Sequence, residues 1–207
     1  AGARRGAASC ASRGACQPAF GPVGVNEGGT SDLRTAARAI EDSYLSTLAS
    51  LVCIESPSRD RVACNVLADA LASRLQEDGW TLERHPASEV GDALVARHPG
   101  DDPYDGTLLL AHYDTVWPIS TLEHMPYRRE GDLQYGPGTL DMKAGIANAL
   151  HAVTLARSYG TLRGPVTLLI SSDEETGSTH SRALIEREAR NHRRVLVLEP
   201  ARDDGAA

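Results

Sequence analysis

Residues 108–118 read LLLAHYDTVWP. Three leucines and an alanine form the end of a strand that is apolar on both faces. His112, Tyr113 and Asp114 then arrive in succession, and Pro118 stops the run. A core strand that ends in an imidazole and a carboxylate needs a chemical reason. Side chains two apart on an extended backbone share a side. Asp114 is therefore placed to accept a hydrogen bond from the second ring nitrogen of His112. That arrangement orients a metal-ligating imidazole.

The flanking sequence supplies the rest of an α/β pattern. Apolar positions at helical spacing run from Ser31 or Asp32 to Leu51, and again from a Ser58 cap to Gly79. Short strand patterns follow in WTLER, DALVARH and GTLLLAHY, and YRREGDLQYGPG reads as a hairpin. A helix is expected over Met142–Tyr159, stopped by Gly160, and another over STHSRALIEREARNH with Ser178 as its cap. PVTLLISS and RRVLVLEP are apolar on both faces, as buried parallel strands are. The pattern predicts a mostly parallel mixed α/β sheet with helices on both faces.

Composition bounds the function. The 207-residue chain is 41% apolar and 24% charged, with a net charge of −7, which argues against a nucleic-acid partner. No run approaches the ~18 apolar residues of a membrane span, and no secretory signal is visible, so a cytoplasmic location is expected. Residues 1–31 hold seven alanines and seven glycines and read as a disordered or non-native lead, with 32–207 as the folded unit. The four cysteines form no C-x-x-C pair and read as free thiols. Of 21 basic residues only Lys143 is a lysine, within GTLDMKAG.

Ligands of such sheets sit outside the carboxyl ends of the strands. His112 and Asp114 fall at one such end, Asp173, Glu174 and Glu175 at the end of PVTLLISS, and Glu199 at the end of RRVLVL. Asp141 lies in a Gly-rich loop ahead of a helix. Each piece has a commoner structural reading: a surface pair, a solvated turn, a helix cap, a strand terminus. All of them on one rim is a different matter. Like charges ~4 Å apart repel by several kcal/mol at an effective protein dielectric, so gathered carboxylates are protonated or bind a cation. An imidazole among oxygens suits zinc better than magnesium or calcium.

LLLAHYDTVWP, YGPGTLDMKAG, SSDEETGS and LVLEP, in that order, resemble the signature blocks of the M20 family of dinuclear zinc peptidases. The glutamate carboxypeptidase branch is the most similar. The resemblance implies an incomplete zinc exopeptidase-like catalytic domain. It implies that Asp141 bridges two zinc ions, that His112 and Glu199 complete one of them, and that Glu175 belongs to the other. Glu174 is then the general base, and Asp114 orients His112. It also implies a cis bond between Asp141 and Met142. The substrate class is a small peptide or an N-acyl amino acid, cleaved at an amide next to a free carboxylate. An N-acyl amino-acid deacylase is the alternative within the family. A non-catalytic nucleotide- or phosphate-binding module is the alternative outside it, although no G-x-x-x-x-G-K-[ST] occurs. Family enzymes also carry a later histidine ligand and a smaller domain for dimerisation and closure. The chain stops soon after Glu199, so it is expected to be the N-terminal part of a catalytic domain, without turnover by itself.

Overall fold

A computed structural model describes residues 30–102 and 104–201. Helices α1 (Thr30–Ala39) and α2 (Glu41–Val52) come first, then α3 (Arg61–Glu77). Strands β1 (Thr81–His85), β2 (Ala93–His98) and β3 (Thr107–His112) follow. A one-turn helix, α4 (Thr121–His124), precedes the hairpin of β4 (Arg128–Glu130) and β5 (Leu133–Tyr135). The chain ends in α5 (Ala144–Ser158), β6 (Val166–Ser171), α6 (Arg182–Arg190) and β7 (Arg194–Val197).

The main sheet has the order β1-β2-β6-β3-β7. β3 runs parallel to both β6 and β7, and β2 is antiparallel to β1 and β6, so four of the five strands share a direction. The period-2 alternation divides the sheet between two cores. Leu94, Ala96, Leu109, Ala111, Leu168 and Ile170 face α2, α3 and α5, and Ala93, Val95, Leu108 and Leu169 face α6. Each leucine fully buried in this way stabilises the fold by ~1.5–3 kcal/mol. The two-sided apolar strands are thus explained by helices on both faces.

Several sequence readings change in detail. The first helical stretch is interrupted at Ile40, which separates α1 from α2. The cap of α3 is Asp60, not Ser58: its carboxylate accepts the Ala63 N–H at 2.9 Å. Ser58 instead bonds the Thr115 carbonyl through its backbone N–H at 3.1 Å and its hydroxyl at 3.2 Å. Gly79 closes α3 as expected, at φ +82° with Trp80 N–H on the Leu75 carbonyl. α6 begins three residues later than a Ser178 cap implies, because Ser178 takes φ +52° and its N–H bonds the Asp173 carbonyl. β7 reads as a buried central strand but lies at the sheet edge with its side chains exposed.

Cys64 is a free buried thiol, whereas Cys53 is disulfide-bonded, so the expectation of free thiols fails at Cys53. Cys10 and Cys16 lie outside the described residues, as does the Gly/Ala-rich lead through residue 29. Among the described residues, no helix is long and apolar enough to cross a membrane.

Candidate metal centre

Three segments meet where β3, β6 and β7 end. The first is the continuation of β3 through Tyr113, Asp114 and Thr115. Segment 56–58 holds it extended: the Ser56 hydroxyl donates to the Tyr113 carbonyl at 2.6 Å and the Thr115 N–H to the Ser56 carbonyl at 2.9 Å. The second is the irregular turn Thr139–Lys143, in which Asp141 and Met142 leave helical geometry and the bond between them is cis. Gly138 enters this turn at φ +67°, and a Cβ there would lie 2.6 Å from the Thr115 methyl carbon. Only glycine satisfies both demands. The third is the 3₁₀ turn Glu174–Thr176 after β6.

His112 is 1% exposed, and its ring is the hub of the site. Nε2 lies 3.0 Å from Asp141 Oδ1, 3.4 Å from Glu199 Oε1 and 3.8 Å from Glu174 Oε2. Nδ1 lies 3.0 Å from the Asp114 carbonyl oxygen and 3.2 Å from its carboxylate. Asp114, fully buried, has a second task. Its Oδ1 accepts the Glu174 N–H at 3.2 Å and its Oδ2 the Glu175 N–H at 3.3 Å. One carboxylate thus positions both the imidazole and the turn that carries the two glutamates.

The electrostatics follow from crowding. Burial alone lowers the His112 pKa, but the Asp114 carboxylate, then Glu199 and Glu174, outweigh it and raise it to about 9. Burial and the neighbouring Asp141 raise Glu175 above the usual carboxylate range. Glu199 is raised by burial against the pull of His112, with Asp141, Glu174 and Glu175 adding to the rise. This arrangement sets one imidazolium against several carboxylates. One donor atom from each of His112, Asp141 and Glu199 lies within 4.8 Å of the others, a group able to hold a cation. One imidazole and two carboxylates are donors that zinc accepts.

Glu174 and Glu175 diverge. Glu174 lines a cavity of about 330 Å³ with His112 and Glu199 over an apolar floor of Leu110, Ile185 and Val197. Glu175 lines a separate cavity of about 340 Å³ with Arg59, Pro57 and Val116. The His112–Asp141–Glu199 group does not include Glu175, which the resemblance assigns to the other zinc.

Sequence reasoning missed the supporting residues. Lys143, 1% exposed, donates from Nζ to the Ile54 carbonyl at 2.7 Å, tying the Asp141 turn to the segment after α2. A Cβ on Gly145 would lie 2.4 Å from the Leu198 carbonyl oxygen, so glycine alone lets α5 approach the residue before Glu199. The signals were present as a lone lysine and as the glycine of DMKAG, but their partners are far away in sequence.

Comparison with known proteins agrees with this geometry. Residues 108–206, which carry every one of these donors, match peptidase family M20/M25/M40. Over those residues the chain carries the pattern of that family. It is 37% identical over 168 residues to carboxypeptidase G2 of Pseudomonas sp. strain RS-16, covering 80% of this chain and 40% of that protein. It is 34% identical over 140 residues to the succinyl-diaminopimelate desuccinylase of Leptothrix cholodnii, covering 63% of this chain and 36% of that protein. Human carnosine dipeptidase 1 shares the fold, with TM-score 0.67 at 20% identity over 81% of this chain and 40% of that one. The chain thus spans about 40% of the length of the family relatives it matches.

Proposed function

We propose that these residues form part of the active site of a zinc-dependent hydrolase that cleaves an amide next to a free carboxylate. The observation that supports this most directly is the buried His112 imidazole facing Asp141 and Glu199 while Asp114 holds its other nitrogen. His112, Asp141 and Glu199 would hold a first zinc, and Asp141 and Glu175 would hold a second. A bound zinc supplies Lewis acidity toward the amide carbonyl and makes water a stronger acid.

The chain's own residues do the remaining work. Glu174 lies beside His112 without belonging to the ligand group, half exposed to the cavity. Its carboxylate takes the proton from the attacking water and delivers it to the leaving amine nitrogen. Asp114 holds the turn that aims Glu174. Leu110, Ile185 and Val197 offer the substrate an apolar surface beside Glu174.

The similarity to carboxypeptidase G2 favours a C-terminal amino-acid substrate, and that to the desuccinylase favours an N-acyl amino acid. Both readings share the same hydrolysis and differ in the acyl group. The test is hydrolysis of N-acyl-glutamate and dipeptide panels, with and without zinc. It is run on the 207-residue chain and, in parallel, on a protein of its relatives' length that contains it. Zinc-restored cleavage in the longer protein is expected. No cleavage there, or cleavage indifferent to a chelator, ends the proposal.

A further inference from the structure

The two edges of the main sheet differ in kind. β1, at one edge, carries Glu83, Arg84 and His85. Charged side chains of that sort keep an edge strand from pairing with another chain. β7, at the other edge, reads Arg194, Val195, Leu196 and Val197, without proline or lysine and in unbroken register with β3. Val195, Leu196 and Val197 are 40%, 51% and 57% exposed. Among the described residues, no strand lies on the outer side of β7.

The backbone of that edge is set to pair. Arg194 N–H bonds the Gly106 carbonyl at 3.3 Å and Leu198 N–H the Leu110 carbonyl at 2.9 Å, so alternate residues of β7 face β3. The residues between them, Val195 and Val197, turn their N–H and C=O groups to the open side. The sequence around them is self-complementary: residues 193–199 read RRVLVLE, two cations at one end and a carboxylate at the other. Laid antiparallel on a second copy about a twofold axis at Leu196, Val195 meets Val197, Leu196 meets Leu196 and Arg193 meets Glu199. In that register each Val195–Val197 pair exchanges both of its hydrogen bonds, and every outward group of the two valines is satisfied. Val195 and Val197 also share the face of Leu108 and Leu110, their neighbours on β3, so the second copy lengthens an apolar surface already present.

We infer that β7 is a self-association edge: two copies of this chain join β7 to β7, antiparallel, and their five-stranded sheets become one. An edge paired with its own symmetry copy is used up, so association stops at the dimer. The inference does not depend on the proposed hydrolysis.

The test is sedimentation velocity of the chelator-treated 207-residue chain over ~1–200 µM, the affinity range of small interfaces. Salt of about 0.15 M screens the net charge of −7 on each copy. A reversible shift from monomer to dimer, with nothing larger, is expected. Val195→Pro removes only an outward N–H, which an edge strand tolerates. It should weaken dimerisation at least about tenfold, because the bond is lost twice. Arg193→Glu, which sets two carboxylates opposite each other, should weaken it as well. Mild oxidation of Leu196→Cys should cross-link the dimer, since position 196 faces itself across the twofold axis. Val195→Cys, offset from its own copy by two residues, should not cross-link. The inference is overturned if the chain stays monomeric across the range or if association continues past the dimer. It is equally overturned if Val195→Pro or Arg193→Glu dimerises as tightly as the unaltered chain, or if Val195→Cys cross-links as readily as Leu196→Cys.

Discussion

The carboxylate of Asp114 accepts the backbone N–H of Glu174 at 3.2 Å while standing 3.2 Å from His112 Nδ1. Two parts of the site that are 62 residues apart in sequence therefore depend on one buried side chain. Asp114→Asn keeps the shape but loses the charge and one acceptor. Zinc affinity should fall by about 10–100-fold, the usual cost of losing the group that orients a ligating imidazole. Chelator competition measures it; an unchanged affinity would assign Asp114 to the turn alone.

Glu174 and Glu175 should separate cleanly. In the protein of relatives' length, Glu174→Gln should keep its zinc and lose ~10²–10⁴-fold in rate. Glu175→Gln should lose metal as well as rate, because an anionic donor is removed. Metal analysis beside kinetics decides. If Glu174→Gln sheds zinc while Glu175→Gln keeps it, the two roles are exchanged.

Zinc uptake should release a proton. The His112 pKa of about 9 means that the metal-free ring is protonated at pH 7.5, and an imidazolium cannot ligate. Titrating zinc in buffers of different ionisation enthalpy should report about one proton released by His112 per first ion. That component should vanish in His112→Asn.

The same shift makes a statement about stability. A histidine raised from its ordinary 6.5 to about 9 stabilises the metal-free fold fully below pH 6.5 and loses that contribution as pH rises through about 9. Lys143, which burial lowers to about 8, acts in the opposite sense above that pH. Urea melts of the chelated protein should therefore show declining stability from pH 6.5 to 8. His112→Asn should flatten that slope.

Gly145→Ala should harm the metal centre from a distance. The added methyl meets the Leu198 carbonyl oxygen at 2.4 Å, so α5 or the end of β7 must shift. Overpacking of this kind costs ~1–3 kcal/mol. Zinc affinity should fall along with thermal stability, since Glu199 follows Leu198. A loss of stability with zinc affinity intact would show that the strand end relaxes away from Glu199.

The sequence by itself determined the strands, the helices and the carboxyl-end rim. Two-sided apolar runs such as PVTLLISS require cover on both faces, and that local requirement holds whatever the neighbours are. It also placed His112, Asp114, Asp141, Glu174, Glu175 and Glu199 at chain positions bound for one edge. The strand order, the break at Ile40 and the exposed edge position of β7 were decided only by tertiary packing, because an apolar run does not record which strand will lie beside it. The same holds for the anchors. Asp60 displaces Ser58 as a cap because Ser58 is engaged by Thr115, and Lys143 is explained by a carbonyl 89 residues away in sequence. Asp173 Oδ1, buried and without a hydrogen-bond partner, was invisible for the same reason. Whether a buried polar atom finds a partner depends on every segment that folds over it.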